Sequence, residues 1–155
     1  MGGLAVNDLP RVGTGRSFPL AGEGRRLLVV YKAACPTCRL LLPLLESIYR
    51  RAEGGLDMIL VSQDDGTVTA RTQSELELSL PVLLDGPLWK LSSSLGAVSV
   101  PMIVELEGRE VAGVTEGFNK AEMRLVLERL ARGKRLGWKV SSALDAPELP
   151  EHKPG

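Results

Sequence analysis

Two cysteines, Cys35 and Cys38, stand four residues apart end to end, with Pro36 and Thr37 between them. Sulfurs at that spacing, on the first turn of a helix, face one another and can be joined and parted as a disulfide. The pair can therefore pass two electrons to or from an outside dithiol or disulfide, by attack, mixed disulfide and resolution. A bridge across so short a loop restrains the unfolded chain very little, which makes it a poor structural staple. Tetrahedral zinc needs about four ligands, and His152, the single histidine, lies far off near the C-terminus. No metal is assigned. No other cofactor is called for either, since the reversible Cys35–Cys38 disulfide would hold the electrons.

The surrounding pattern says how the sulfurs are held. Residues 26–32 (RLLVVYK) form a compact apolar, β-branched run of strand length. From residue 36 to 52 the period changes to that of a helix, with Leu41, Leu44, Leu45 and Ile48 on one face. Arg50 and Arg51 occupy its last turn and Gly54-Gly55 end it. The cysteines thus sit where a strand hands over to a helix. Unpaired backbone N–H groups and the positive dipole end stabilise a thiolate there, so Cys35 is read as the exposed attacking sulfur. Cys38, one turn on, is read as the more buried resolving sulfur. Pro36 suits the first helical turn, where its missing N–H costs nothing.

The rest of the chain supplies more elements of the same kind. Residues 1–25 read as loop with one short extended piece around 16–20. Residues 56–62 form a second strand, closed by the polar loop Gln63-Asp64-Asp65-Gly66, which reads as a turn and helix cap. Residues 67–80 read as a helix, 81–85 as a short strand and 88–95 as a short helix. A hairpin then spans 102–114, turning at Glu107-Gly108. Asn119, with Glu122 three residues on, opens a final helix whose buried face is Met123, Val126, Leu127 and Leu130. Residues 138–155, rich in Pro, Ser and Glu, read as lying loosely on the surface. Trp89 and Trp138 read as packing residues. Alternating β and α units followed by an antiparallel hairpin imply an α/β fold with a mixed central sheet flanked by helices. Its first crossover should be right-handed.

Residues 26–132 resemble the thioredoxin superfamily, in its TlpA-like and redoxin branch. The segment VVYKAACPTCRLLLPLLESI is similar to that family's strand–CxxC–helix, including a proline five residues after the second cysteine, Pro43. VSVPMIVEL is similar to its Val-Pro segment. The stretch 63–99, between the second strand and the proline-led hairpin, is similar to the redoxin-type insertion. The resemblance implies that the Val100–Pro101 bond is cis and lies beside the cysteines, and that Val100 offers backbone groups to an extended substrate. Pro36, Thr37, Val100 and Pro101 are accordingly the expected substrate-contacting residues. Two departures stand out. Ala34 replaces the tryptophan that often precedes the first cysteine. Val29 holds the position, six residues before it, of the buried aspartate that assists proton transfer in thioredoxins proper. Asp57, Glu105 and Glu116 are candidate replacements for that base.

The expected organisation is an N-terminal extension (1–25), a thioredoxin-like domain (26–132) and a C-terminal tail (133–155). The expected activity is thiol–disulfide exchange with protein or small disulfides, in the service of cell redox homeostasis and antioxidant chemistry. Its partners would be disulfide- or dithiol-containing proteins and an upstream redox protein, with the chain itself a monomer. Nineteen basic and nineteen acidic residues balance to a formal charge of zero, which argues against nucleic acid. The first twenty residues, broken by Gly, Pro and Asn, read as neither signal peptide nor membrane span. That makes the cytoplasm the default, with an extracytoplasmic site if a leader has been removed. Two rivals share the fold: a peroxiredoxin-like peroxidase and a redox-inert interaction module. The Pro-x-x-x-Thr-x-x-Cys pattern of the former is absent.

Overall fold

The computed structural model describes residues 2–155. In chain order the elements are β1 (Asp8–Pro10), β2 (Ser17–Pro19), β3 (Arg25–Tyr31), α1 (Pro36–Ala52), β4 (Met58–Ser62) and α2 (Gly66–Glu75). They continue with β5 (Val82–Leu84), α3 (Lys90–Ser94), β6 (Met102–Glu107), β7 (Glu110–Glu116), β8 (Phe118–Asn119), α4 (Lys120–Ala131) and β9 (His152–Lys153). A 3-10 turn, Val140–Asp145, lies between α4 and β9.

The main sheet has the order β5-β4-β3-β6-β7, parallel from β5 to β3 and antiparallel beyond. Such a mixed sheet needs cover on both faces, and the continuous apolar runs of β3 and β4 reflect that. Leu27, Val29, Tyr31, Met58 and Leu60 face one core with the apolar stripes of α1 and α4. Leu28, Val30, Ile59 and Val61 face a second core. The stretch between β4 and Pro101 contributes α2, β5 and α3, with β5 completing the sheet edge beside β4.

Three expectations need correcting. Residues 1–25 are not simply loop: β1 and β2 form an antiparallel hairpin, and Leu4, Leu9 and Leu20 supply the second core with apolar cover. The same segment also reaches both edges of the main sheet. Val12 N–H donates to the Val82 carbonyl on β5 at 2.9 Å, while Leu4 N–H donates to Arg109 and Val111 N–H to Gly2 beside β7. The helix expected over 67–80 stops at Glu75, because Leu78 and Leu80 turn inward as core residues. The stretch from 138 is not loose. Val140 and Leu144 are buried against α1 and α4, Leu149 packs beside them, and β9 pairs with β8. Few of these contacts are local in sequence, so composition alone gives a misleading impression of disorder.

Candidate active site

α1 begins as its sequence predicts. Cys35 is the N-cap, in extended conformation (φ −82°, ψ 118°), and its Sγ accepts the Cys38 N–H at 3.2 Å. A sulfur thus occupies the place usually taken by a Ser or Asp oxygen, facing the unpaired donors of the helix start. Pro36 opens the helix. Pro43 lies within it and offers no N–H to the preceding turn. The peptide of Ala33, just ahead of the cysteines, is clamped on both sides. Its N–H donates to Asp64 Oδ2 at 2.8 Å, and its carbonyl accepts from Arg39 Nε at 2.7 Å.

The two sulfurs are both thiols and differ in surroundings. Cys35 is half-buried and its Sγ–H points to the Val100 carbonyl at 3.5 Å. Cys38 is fully buried. Burial pushes the Cys38 thiol well above its ordinary range. The Cys35 sulfur and the Asp64 carboxylate add to that, and a backbone hydrogen bond with Lys32 opposes it. Cys38 therefore holds its proton at neutral pH.

The same burial makes a stability prediction. The folded chain holds the Cys38 proton more tightly than the unfolded chain, so this contribution is complete below the unfolded value of 9.0 and is lost at higher pH. The expected loss is about 1.4 kcal/mol per pH unit. Tyr31, buried and raised to about 12, adds a loss of the same sign above 10.0. Between pH 9 and 10, where the unfolded thiol is half to nine-tenths ionised, urea unfolding of reduced Cys38→Ala should show a slope shallower by about 1 kcal/mol per pH unit. Parallel slopes would mean that Cys38 is not held as the buried thiol described.

The Val100–Pro101 peptide is cis, Pro101 is buried, and Val100 is half-buried beside Cys35. Pro36 is exposed. Thr37, in contrast, is buried, and its Oγ1 donates to the Pro154 carbonyl at 2.5 Å. Cys35, Pro36 and Val100 line an open groove of about 340 Å3, shared with Lys32, Trp89 and Val98.

Trp89 departs from its expected packing role. It is 40 % exposed on the rim of this groove, with its Nε1–H donating to Gln63 and Lys32 Nζ lying 4.7 Å from its ring centre. Asp85 holds the turn behind it, accepting the N–H groups of Leu91 and Ser92 at 2.9 Å. Trp138 does pack, its ring under Arg51 at 4.0 Å. No local sequence signal separates the two tryptophans, because the exposure of Trp89 follows from how the insertion folds back on β3.

None of the carboxylates named as replacement bases faces the sulfurs. Asp57 pairs with Arg26 at 2.9 Å, before β4 and at the opposite end of the sheet from the cysteines. Glu105 is bound bidentately by Arg129 at 2.7 and 3.0 Å. Glu116 accepts the Val98 N–H at 2.9 Å and so braces the loop leading to Pro101. Asp64 is the carboxylate whose charge reaches Cys38.

Neither a protein-family model nor a curated protein matches the chain. Solved structures do. A protein from Chlorobium tepidum described as a DsbE thiol:disulfide interchange protein superposes with a TM-score of 0.70 at 17% identity, over 92% of this chain and 96% of that one. A thiol:disulfide interchange protein from Bacteroides sp. gives 0.68 at 18% identity, over 86% and 91%. StoA from Bacillus subtilis gives 0.57 at 19% identity, over 69% and 84%. No helix among the described residues is long and apolar enough to cross a membrane. Sheet order, helix placement and these likenesses agree on one conclusion: the chain has the thioredoxin-like fold, with its two cysteines at the junction of β3 and α1.

Proposed function

We propose that the chain is a thiol–disulfide oxidoreductase in which Cys35 attacks and Cys38 resolves. One observation carries the reading. Cys35 caps α1 with its sulfur on the Cys38 N–H, half-open to the groove, while Cys38 is sealed directly behind it. The Cys35 thiolate attacks one sulfur of a substrate disulfide. A bond forms between them, the substrate S–S bond breaks, and the second substrate sulfur leaves as a thiolate that takes a proton from water. Cys38 then gives up its proton and attacks the Cys35 sulfur. The Cys35–Cys38 bond forms and the first substrate sulfur leaves. The substrate has gained two electrons and the pair has lost them.

Run backwards, the same steps oxidise a dithiol, and direction depends on the potential of the pair against its compartment. The pair is its own electron store, so a second redox protein must reset it. Disulfide- or dithiol-containing proteins are the substrates in this reading, and the chain acts as a monomer. Pro36 and Val100 form the wall against which the substrate sulfur is presented, with Pro101 buried behind Val100, and Trp89 forms the opposite rim.

Equilibration in graded glutathione buffers tests the proposal. Both thiols should disappear together in one two-electron transition, in which a tenfold change in equilibrium constant corresponds to about 30 mV. Cys35→Ser should abolish the transition. Independent oxidation of the two sulfurs, or none across the range, would overturn the reading.

A further inference from the structure

The groove beside Cys35 is closed at one end by the chain's own C-terminal residues. β9 lies antiparallel to β8, with Lys153 opposite Phe118 and His152 opposite Asn119. Lys120 N–H donates to the Glu151 carbonyl at 2.8 Å. Thr37 Oγ1 donates to the Pro154 carbonyl. Gly155 lies so close upon the Val100 carbonyl and Ser99 that no Cβ fits there. Across from it, a Cβ on Gly117 would stand only 3.1 Å from the Lys153 carbonyl.

Nearly all of these contacts are made to the main chain of the tail. The side-chain exception is the Lys120–Glu151 pair at 3.5 Å, whose carboxylate is 86% exposed and adds little. An extended polypeptide of another sequence would satisfy the same donors and acceptors, provided a small residue lay over Val100. The contact is also confined to five residues beyond the anchored Leu149, so it can open without disturbing the core.

We propose that residues 151–155 are a displaceable occupant of the surface formed by β8, Thr37 and Val100, held where an extended polypeptide substrate would lay its backbone. This rests on the oxidoreductase reading above. A protein disulfide must displace the tail to lay its own backbone beside Cys35. A small disulfide enters from the side of Lys32 and Trp89 and leaves the tail in place.

The test compares the full chain with a form lacking residues 151–155 and with Gly155→Leu, which cannot seat on Val100. Reduction of insulin and of oxidised glutathione is measured for each. If the site is free about a tenth of the time, removing the tail raises kcat/KM for insulin about tenfold, because apparent affinity scales with the competent fraction. The glutathione rate of the deletion form should change less than twofold, and Gly155→Leu should raise the insulin-to-glutathione ratio likewise. Equal changes for both substrates, or no gain with insulin, would overturn the proposal while leaving the oxidoreductase intact. A separate arm needs no turnover. A cysteine-containing hexapeptide is coupled to Cys35 through an activated disulfide, and the backbone NMR signals of residues 152–154 are followed. Collapse of those signals to random-coil positions with the peptide, but not with coupled glutathione, supports displacement, and unchanged signals refute it. Failure of glutathione equilibration, by contrast, removes the redox reading itself.

Discussion

Cys38→Ser is expected to stop turnover at the mixed disulfide and leave substrates covalently attached to Cys35. Cys35 keeps its place at the N-cap, so attack on a substrate disulfide proceeds. The sulfur that would release the product is gone, and an external thiol must do its work. Intramolecular attack by a well-oriented group corresponds to effective concentrations up to about 10^5 M and beyond, so release by millimolar thiol should be slower at least about a thousandfold. On a non-reducing gel, the variant incubated with a disulfide-bonded protein should show adducts that vanish with dithiothreitol. Cys35→Ser should show few, because Cys38 has no exposed surface. Equal trapping by both variants would mean that the attacking and resolving roles are misassigned.

The second large effect concerns stability. Glu46 is buried in the middle of α1, and its carboxylate accepts from Ser79 N–H at 2.7 Å, Leu80 N–H at 3.0 Å, and Ser79 Oγ and Arg50 Nε at 2.5 Å each. Burial on its own would raise its pKa, but the hydrogen bonds from Ser79, Leu80 and Arg50 outweigh that and hold it below the usual carboxylate range. Glu46→Ala would leave the buried Leu80 N–H without a partner and free the turn that carries Leu78 and Leu80 into the core. A loss of about 3 kcal/mol is expected, or roughly 6–12 °C in Tm for a chain of this size. The sign with pH also follows. A depressed carboxyl stabilises above its unfolded value of 4.5, and that share is lost as pH falls through the folded value. The difference in stability between parent and Glu46→Gln should therefore narrow in acid. A cost under about 1 kcal/mol for Glu46→Ala would show that the turn is held by its leucines alone.

These two sites mark where sequence reading succeeds and where it stops. The strand, the cysteine turn and α1 are legible because their signals are local: an apolar run, a proline at the first turn, leucines at helical spacing, arginines at the end. α1 occupies the span its periodicity predicts, Pro36–Ala52, and Asn119 caps α4 through the Glu122 N–H at 2.9 Å. The burial of Glu46 gives no such signal: Arg50 is one turn on, but Ser79 and Leu80, which seal the carboxylate in, lie more than thirty residues away. The same holds for Thr37, whose partner Pro154 is 117 residues distant. Trp89 reaches the groove, and Asp64 the Ala33 N–H, only because the stretch after β4 folds back over the end of β3. Carboxylates near strand ends are the candidates that the sequence offers for the general base. Asp57 and Glu105 proved to be ion-paired with arginines instead, while Glu116 braces the loop before Pro101. Such pairings are set by three-dimensional proximity, which spacing along the chain does not encode.

The N-terminal segment that touches both margins of the main sheet has a consequence for how copies of the chain meet. A five-stranded sheet normally offers two rows of unpaired backbone groups, each a template for a strand from another molecule. Here Arg11 and Val12 lie along β5, and Gly2 to Leu4 lie along β7. With a formal net charge of zero, there is little long-range repulsion to hold molecules apart in concentrated solution. Self-association is opposed instead by a covalently attached guard of some twenty residues that also roofs the apolar face of Leu28, Val30 and Ile59. A chain shortened to begin at β3 would keep both cysteines and their helix, yet would carry two bare margins and an uncovered greasy face into a solution of its own copies.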